Sequence, residues 1–446
     1  MIQSTINNQQ SSIAILPIAH ALRATVRVPG SKSLTNRALL VAALAEGKTT
    51  LANALFSDDS RYFARALQKL GFDVRLDPGR AEIAVTGLGG RIPASKAELF
   101  IGNAGTAARF LTAMLTLGQG KYILDGDARM RERPIGDLVN ALTQLGTQIT
   151  QSSSPIHLSS FILHPSASHL PLFIEASGLP GGKASVAGDI SSQFLSALLM
   201  VAPYAQSPVE LIVERGLNSK PYVDLTLAVM SDFGVEVRRD DYRSFSIPNT
   251  HYASRNTYAI ESDASAASYF FAAPAILGGT VRVENISRRS KQGDIAFLDV
   301  LRQMGCEIAD GPDFIEVTGP ETLRGVDVDM RDISDTAQTL AAIAPFASSP
   351  TRIRGIASAR LKETDRVAAV CTELARLGVH VQEHPDGMTI QPCAVFRPAS
   401  IQTYNDHRMA MAFALVGLRV PGMSIENPAC VSKTFPDFFE VLERLR

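Results

Sequence analysis

Apolar and polar positions along the chain fall into one local pattern that recurs from end to end. An amphipathic helical stretch closes on Leu, Met or Phe followed by Gly, and a strand-like alternation rich in β-branched residues follows at once. The copies are Ala66 to Val74, Ala141 to Ile149, Val229 to Val237, Val300 to Ile308 and Glu373 to Val381. Their glycines, Gly71, Gly146, Gly234, Gly305 and Gly378, stand roughly 70 to 90 residues apart, a period that marks a repeat architecture. A Gly after the last helical turn serves as a left-handed cap, and the residues behind it start a strand. Val441 to Leu445 has the look of a sixth copy cut off by the C-terminus, so the pattern predicts six helix-strand modules, an α/β fold.

Six modules in 446 residues divide naturally into two domains of three, each long enough for its own core. The strand pattern over Ile13 to Val28 precedes the first full module, which makes one domain discontinuous. A polar, Pro-containing stretch, Pro248 to Arg255, precedes a fresh strand and a long apolar helix over Tyr258 to Gly279. The expected division is therefore residues 1–29 with 258–446, and 30–257 as an insertion. Residues 1 to 12 read as a frayed tail without a positively charged leader, and no 18-residue apolar run exists that could cross a bilayer.

Charge changes this picture only locally. Lys and Arg number 43 against 44 Asp and Glu, a formal net charge of −1, which argues against a nucleic-acid-binding surface. The four cysteines, Cys306, Cys371, Cys393 and Cys430, form no C-x-x-C pair and have no histidine at zinc-ligand spacing. They are expected to be reduced core thiols, with no metal and no cofactor. Gly47-Lys48-Thr49 imitates the end of a phosphate-binding P-loop, but Ala42 stands where its first glycine is required. Gly87-Leu88-Gly89 likewise fails as a dinucleotide fingerprint because Ile92 replaces the third glycine.

Five short segments instead place cations beside Gly, Ser, Thr or Asn: Gly30 to Arg37, Asn103 to Arg109, Arg129 to Arg133, Leu361 to Arg366 and Asn405 to Arg408. Such segments suit small, multiply anionic ligands, because Arg forks grip carboxylate and phosphate while small neighbours let backbone N–H groups approach. Three of them open predicted helices, where free N–H groups favour anions. Lys32 and Ser33 would face such an anion, with Arg37 one turn on. Asp189 to Gln193 adds two hydroxyls and an amide at another helix mouth. On a helix, Lys362 and Arg366 would be i, i+4 neighbours repelling by roughly a few tenths of a kcal/mol unless an anion bridges them. Glu363, set among cations, is a candidate acid or base.

Together, Pro29 to Arg37, Asn103 to Arg109, Arg129 to Pro134, Ser191 to Met200, Lys362 to Arg366, Thr403 to Ala412 and Lys433 to Asp437 resemble the EPSP synthase family, in its order and over nearly the whole chain. The resemblance implies two inside-out α/β-barrel-like domains, each of three βαβαββ repeats, with the active site in the interdomain cleft. It implies transfer of the enolpyruvyl group of phosphoenolpyruvate to the 5-hydroxyl of shikimate 3-phosphate, releasing phosphate, in chorismate and aromatic amino acid biosynthesis. The catalytic residues so implied are Lys32, Asp335 and Glu363. Phosphoenolpyruvate would meet Lys32, Gly105, Arg129, Gln193, Arg366, Arg408 and Lys433. Shikimate 3-phosphate would meet Lys32, Ser33, Arg37, Ser191, Ser192, Gln193, Ser219, Tyr222, Asp335, Ser358 and Lys362.

A cytoplasmic monomer is expected, its partners the two small-molecule substrates, with no nucleic acid and no membrane. Cations contributed by both domains are expected to repel in the empty site and draw together around bound anions. Gly105 is expected to leave room for glyphosate beside phosphoenolpyruvate. Departures from the family pattern are Ser358 in place of Asn, Ala359 in place of Trp, and Phe110 in place of Pro, which is expected to tilt the helix presenting Gly105. Two other readings use the same fold: an enolpyruvyl transferase acting on UDP-N-acetylglucosamine, disfavoured because no cysteine precedes Cys306, and an RNA-end-processing protein.

Overall fold

The computed structural model of the protein describes residues 11–151 and 169–446. The chain divides into two compact units, residues 1–29 with 261–446, and residues 30–260. The crossing falls three residues later than expected. Strand Thr257–Ala259 pairs in parallel with Glu46–Ala52 and so completes a sheet of the inserted unit instead of opening the outer one.

Each unit is built from three copies of one module: strand, buried helix, parallel strand, second helix, antiparallel hairpin. In the inserted unit the clearest copy runs from strand Gly182–Ala187 through helix Ser192–Val201, strand Val209–Glu214 and helix Lys220–Asp232 to strands Arg238–Asp240 and Ser244–Ile247. In the outer unit, Asp327–Asp329, Ala337–Ile343, Thr351–Arg354, Arg366–Arg376, Val381–His384 and Gly387–Ile390 repeat it. Five sheets of the described residues have four strands and one has three. The five glycines that mark the repeat all take positive φ, between 82° and 107°, and lie between the second helix and the hairpin.

Two kinds of helix follow from two kinds of sequence. The first helix of each module, Lys32–Leu44, Gly105–Leu115, Ser192–Val201, Ala264–Leu277, Ala337–Ile343 and His407–Gly417, is buried on all sides over nearly its whole length. An apolar circumference has nowhere else to go, so these helices fill the middle of each unit and the sheets wrap them. The second helices, such as Asp58–Lys69, bury one stripe, here Phe63, Ala64, Ala66 and Leu67.

The last module is completed from the other end of the chain. Strand Ser12–Ala14 pairs antiparallel with Ser424–Glu426, Ser12 opposite Glu426. The tail expected over residues 1–12 is thus corrected at Ser12, whose backbone is tied into a sheet, while residues 1–10 lie outside the described residues.

Candidate functional site

In the outer unit the starts of helices Ala337–Ile343, Arg366–Arg376 and His407–Gly417 are joined by ion pairs. Asp335 precedes helix Ala337–Ile343, Arg408 is the second residue of His407–Gly417, and Arg366 opens Arg366–Arg376. Asp335 takes three cations at once. Lys362 Nζ donates to its Oδ1 at 2.6 Å and Arg366 Nη1 to the same oxygen at 3.2 Å, while Arg408 Nη2 donates to Oδ2 at 2.7 Å. Glu363 Oε2 accepts from Arg366 Nη2 at 2.8 Å, and its Oε1 lies 3.8 Å from Lys433 Nζ. Asp335, Glu363, Lys362, Arg366, Arg408 and Lys433 are therefore one cluster, drawn from four segments spread over nearly 100 residues. Ser358, half-buried on the short turn Ala357–Leu361, leads into Lys362.

This set is already close to charge balance, four cations against three carboxylates, because Asp406 joins it. Asp406 is fully buried, accepts from Arg366 Nε at 2.7 Å and Nη2 at 3.2 Å, and caps its own helix by accepting from Arg408 N–H at 2.9 Å. Within this unit the carboxylates bridge the cations. The expected helix face shared by Lys362 and Arg366 is corrected. Asp365 is the N-cap, its side chain accepting from Ala368 N–H at 3.0 Å, so the helix begins only at Arg366 and Lys362 lies outside it. The two cations meet instead at Asp335 Oδ1. Burial pulls the Lys362 ammonium below its ordinary range, a pull that Asp335 opposes. Burial acts the same way on Arg366, but Asp406, Glu363 and Asp335 together outweigh it and hold its charge firmly. Tyr269, whose hydroxyl lies 3.5 Å from Arg408 Nη1, is pushed up to about 12 by burial, partly offset by that guanidinium.

In the inserted unit the donors are mostly neutral. Ser31 caps helix Lys32–Leu44, which places Lys32 and Ser33 in its first turn; Lys32 Nζ lies 3.8 Å from Asp59. Arg37 is 2 % exposed. Nε donates to Thr226 Oγ1 at 2.8 Å, Nη1 to the Ser33 carbonyl at 2.9 Å, and Nη2 to the Tyr222 carbonyl at 3.0 Å and Ser196 Oγ at 3.4 Å. The rings of Phe110 and Tyr222 lie 5.4 and 5.9 Å away. Its described hydrogen bonds all reach neutral oxygens, and burial lowers its pKa to about 10. Phe110 is thus a packing partner of Arg37, fully buried inside an unbroken helix Gly105–Leu115.

Ser191 caps helix Ser192–Val201 by accepting from Gln193 N–H at 3.3 Å, and Gln193 Nε2 donates to Thr106 Oγ1 at 3.5 Å, linking two helix mouths. Ser219, at φ 56°, precedes helix Lys220–Asp232, and its carbonyl accepts from Tyr222 N–H at 3.0 Å. Arg129, on the short helix Ala128–Glu132, pairs with Glu132 at 2.8 Å and is the most exposed of the expected cations of this unit. Arg109 is not a surface cation. It is buried, its Nη1 donating to the Gly105 carbonyl at 3.2 Å and Nη2 to the Pro134 carbonyl at 2.6 Å.

Sequence reading gives no role to three working residues. Asp406 shows in sequence only as the opening of an apolar helix, although an acid directly before two bases was the available signal. Arg133 closes the cationic segment Arg129 to Arg133, but nothing local names its partner Asn103, 30 residues away. Thr226 gives no signal, its partner lying 189 residues away.

The chain is similar to known proteins along nearly its whole length. The family model of EPSP synthase (3-phosphoshikimate 1-carboxyvinyltransferase) matches residues 17–442. A Trichormus variabilis protein named 3-phosphoshikimate 1-carboxyvinyltransferase is 52 % identical over 428 residues, covering 96 % of this chain and 97 % of its own. A protein of the same name from Shewanella baltica is 49 % identical, covering 95 % and 97 %. Among solved structures, EPSP synthase from Acinetobacter baumannii superposes with a TM-score of 0.78 at 25 % identity, covering 97 % of each chain. An enolpyruvyl transferase from Streptomyces tendae shares the fold, with a TM-score of 0.75 at 17 % identity over 97 % of each chain.

Proposed function

The chain belongs to the EPSP synthase family, and from that premise we propose that it transfers the enolpyruvyl group of phosphoenolpyruvate to the 5-hydroxyl of shikimate 3-phosphate, releasing phosphate. The activity is that of a transferase of the shikimate pathway. One observation carries the assignment of roles: two carboxylates, Asp335 and Glu363, share Arg366 and are flanked by Lys362, Arg408 and Lys433. Two carboxylates in different cationic settings can divide base and acid work.

In the proposed reaction a proton is added to the methylene carbon of phosphoenolpyruvate, and the adjacent carbon becomes oxocarbenium-like. The ring hydroxyl attacks that carbon and loses its proton. The tetrahedral adduct then expels phosphate as the methyl group gives a proton back. Asp335 orients the hydroxyl and takes its proton, Glu363 handles the carbon-bound proton, and Lys32 supplies charge and a proton near the phosphate. Arg129, Arg366, Arg408 and Lys433 match the carboxylate and phosphate of phosphoenolpyruvate, with the Gly105 backbone and Gln193 beside them. Ser33, Arg37, Ser191, Ser192, Gln193, Ser219, Tyr222, Ser358 and Lys362 hold shikimate 3-phosphate. Fixed donors of this kind act by positioning and by stabilising developing charge. The proposal includes a monomer in a cytoplasmic setting, which the four free thiols suit.

The test is phosphate release from phosphoenolpyruvate with shikimate 3-phosphate, run beside Glu363→Gln and a parallel reaction with UDP-N-acetylglucosamine. Release that needs shikimate 3-phosphate, and falls about 10²-fold or more in the variant, is expected for a lost acid-base group. Release only with the nucleotide sugar would overturn the substrate assignment.

A further inference from the structure

Gly105 opens helix Gly105–Leu115, and its N-cap, Ala104, has no side-chain acceptor to occupy the first N–H groups. The space above Gly105 is not empty. A Cβ built there would lie 2.5 Å from Arg133 Nη2 and 2.8 Å from both Cζ and Nη1. Three nearly equal distances mean that a methyl would meet the face of the guanidinium rather than one edge. Arg133 itself is 6 % exposed and held. Its Nη1 donates to Asn103 Oδ1 at 3.0 Å and to the Asn103 carbonyl at 3.3 Å, and its backbone N–H donates to the Met130 carbonyl at 3.2 Å. Arg109 makes a second tie between the same two segments, from the Gly105 carbonyl to that of Pro134.

We propose that Arg133 is a positioning residue of the phosphoenolpyruvate site: its guanidinium occupies the volume a side chain at 105 would take and fixes the Asn103–Gly105 turn, so that the first N–H groups of the helix are aimed at the anion. The proposal rests on the function proposed above. It changes what Gly105 is for, since the glycine admits a protein cation before it admits any ligand. A methyl at 105 acts first on Arg133, which must retreat by about 1 Å to reach ordinary contact near 3.5 Å. The guanidinium is the far end of a flexible side chain, so the fold survives this while the aim of the turn does not.

A double-mutant cycle separates this from direct contact between methyl and ligand. In the otherwise unchanged chain, Gly105→Ala is expected to raise KM for phosphoenolpyruvate about tenfold, the factor equivalent to 1.4 kcal/mol. KM for shikimate 3-phosphate should hold. Arg133→Ala alone is expected to raise the same KM, and adding Gly105→Ala to it should cost less than about twofold more, because the obstructing group has gone. Equal penalties in the two backgrounds would overturn the proposal. A crystal structure of Gly105→Ala gives a reading independent of activity: a displaced guanidinium supports the proposal, and one still seated over residue 105 overturns it. Absence of any shikimate-3-phosphate-dependent release by the unaltered chain would instead indict the functional reading, leaving the crystal structure to judge Arg133.

Discussion

The two units hold their cations in opposite ways. In the outer unit Arg366 and Arg408 are wired to Asp335, Glu363 and Asp406, so that the charges neutralise one another inside the protein. In the inserted unit Arg37 is as deeply buried but rests on two hydroxyls and two carbonyls. The first arrangement compensates its cations from within, and an anion bound there must compete with internal carboxylates. The second leaves a full positive charge without an internal counter-ion among its described contacts, held at a cost that a bound anion would offset. A charge network therefore compensates buried cations in one unit, whereas in the other the same residue type rests on neutral oxygens.

The strongest way to break this contrast is to remove one carboxylate from the network. Asp406→Asn would leave Arg366 under-compensated in a dry site and is expected to destabilise the protein by about 3–5 kcal/mol, read as a lowered urea midpoint. Arg37→Met is the counterpart. It is expected to weaken shikimate 3-phosphate binding at least about tenfold in calorimetry while shifting stability by no more than about 1–2 kcal/mol. Equal destabilisation by the two substitutions would erase the distinction.

Alkaline titration sharpens it from another side. Burial pushes the Cys306, Cys371 and Cys430 thiols up to about 12, against 9.0 for a free thiol. Between these values the unfolded chain has released protons that the folded chain retains, so stability is complete below pH 9 and falls as pH rises toward 12. Cys306→Ala should flatten that fall, and an unchanged slope of unfolding free energy against pH would exclude the thiol as its source. The smallest effect is expected at Ser358, where Ser358→Asn adds a neutral donor. It should tighten shikimate 3-phosphate binding by about fivefold, equivalent to about 1 kcal/mol; an unchanged dissociation constant would remove Ser358 from the site.

Much of the fold could be read from the sequence because five of the six modules end the second helix in Gly and start a hairpin there, a signal contained within nine residues. The cationic positions were legible for a similar reason, since they lie in short motifs at helix mouths. What could not be read was pairing at a distance. Nothing near Arg37 names Thr226, and nothing near Arg366 names Asp406, because such contacts are made by the three-dimensional meeting of modules. Local charge spacing even misled at Lys362, where one capping residue, Asp365, moved the helix start past it. Strand Thr257–Ala259 misled in the same way: its pattern marks a strand, but only its pairing with Glu46–Ala52 assigns it to a unit.

That both units are closed by strands from distant parts of the chain has a consequence for synthesis. Strand Ser12–Ala14 leaves the ribosome long before Ser424–Glu426 exists, and at 5–20 residues per second the wait is roughly 20–80 s. The inserted unit meets a shorter delay, because Thr257–Ala259 arrives about 210 residues after Glu46–Ala52. The inserted unit can thus finish folding on the nascent chain, while the outer unit carries an unpaired edge until translation is nearly over. Factors that shield nascent strands should matter most for the half of the protein that is begun first and completed last.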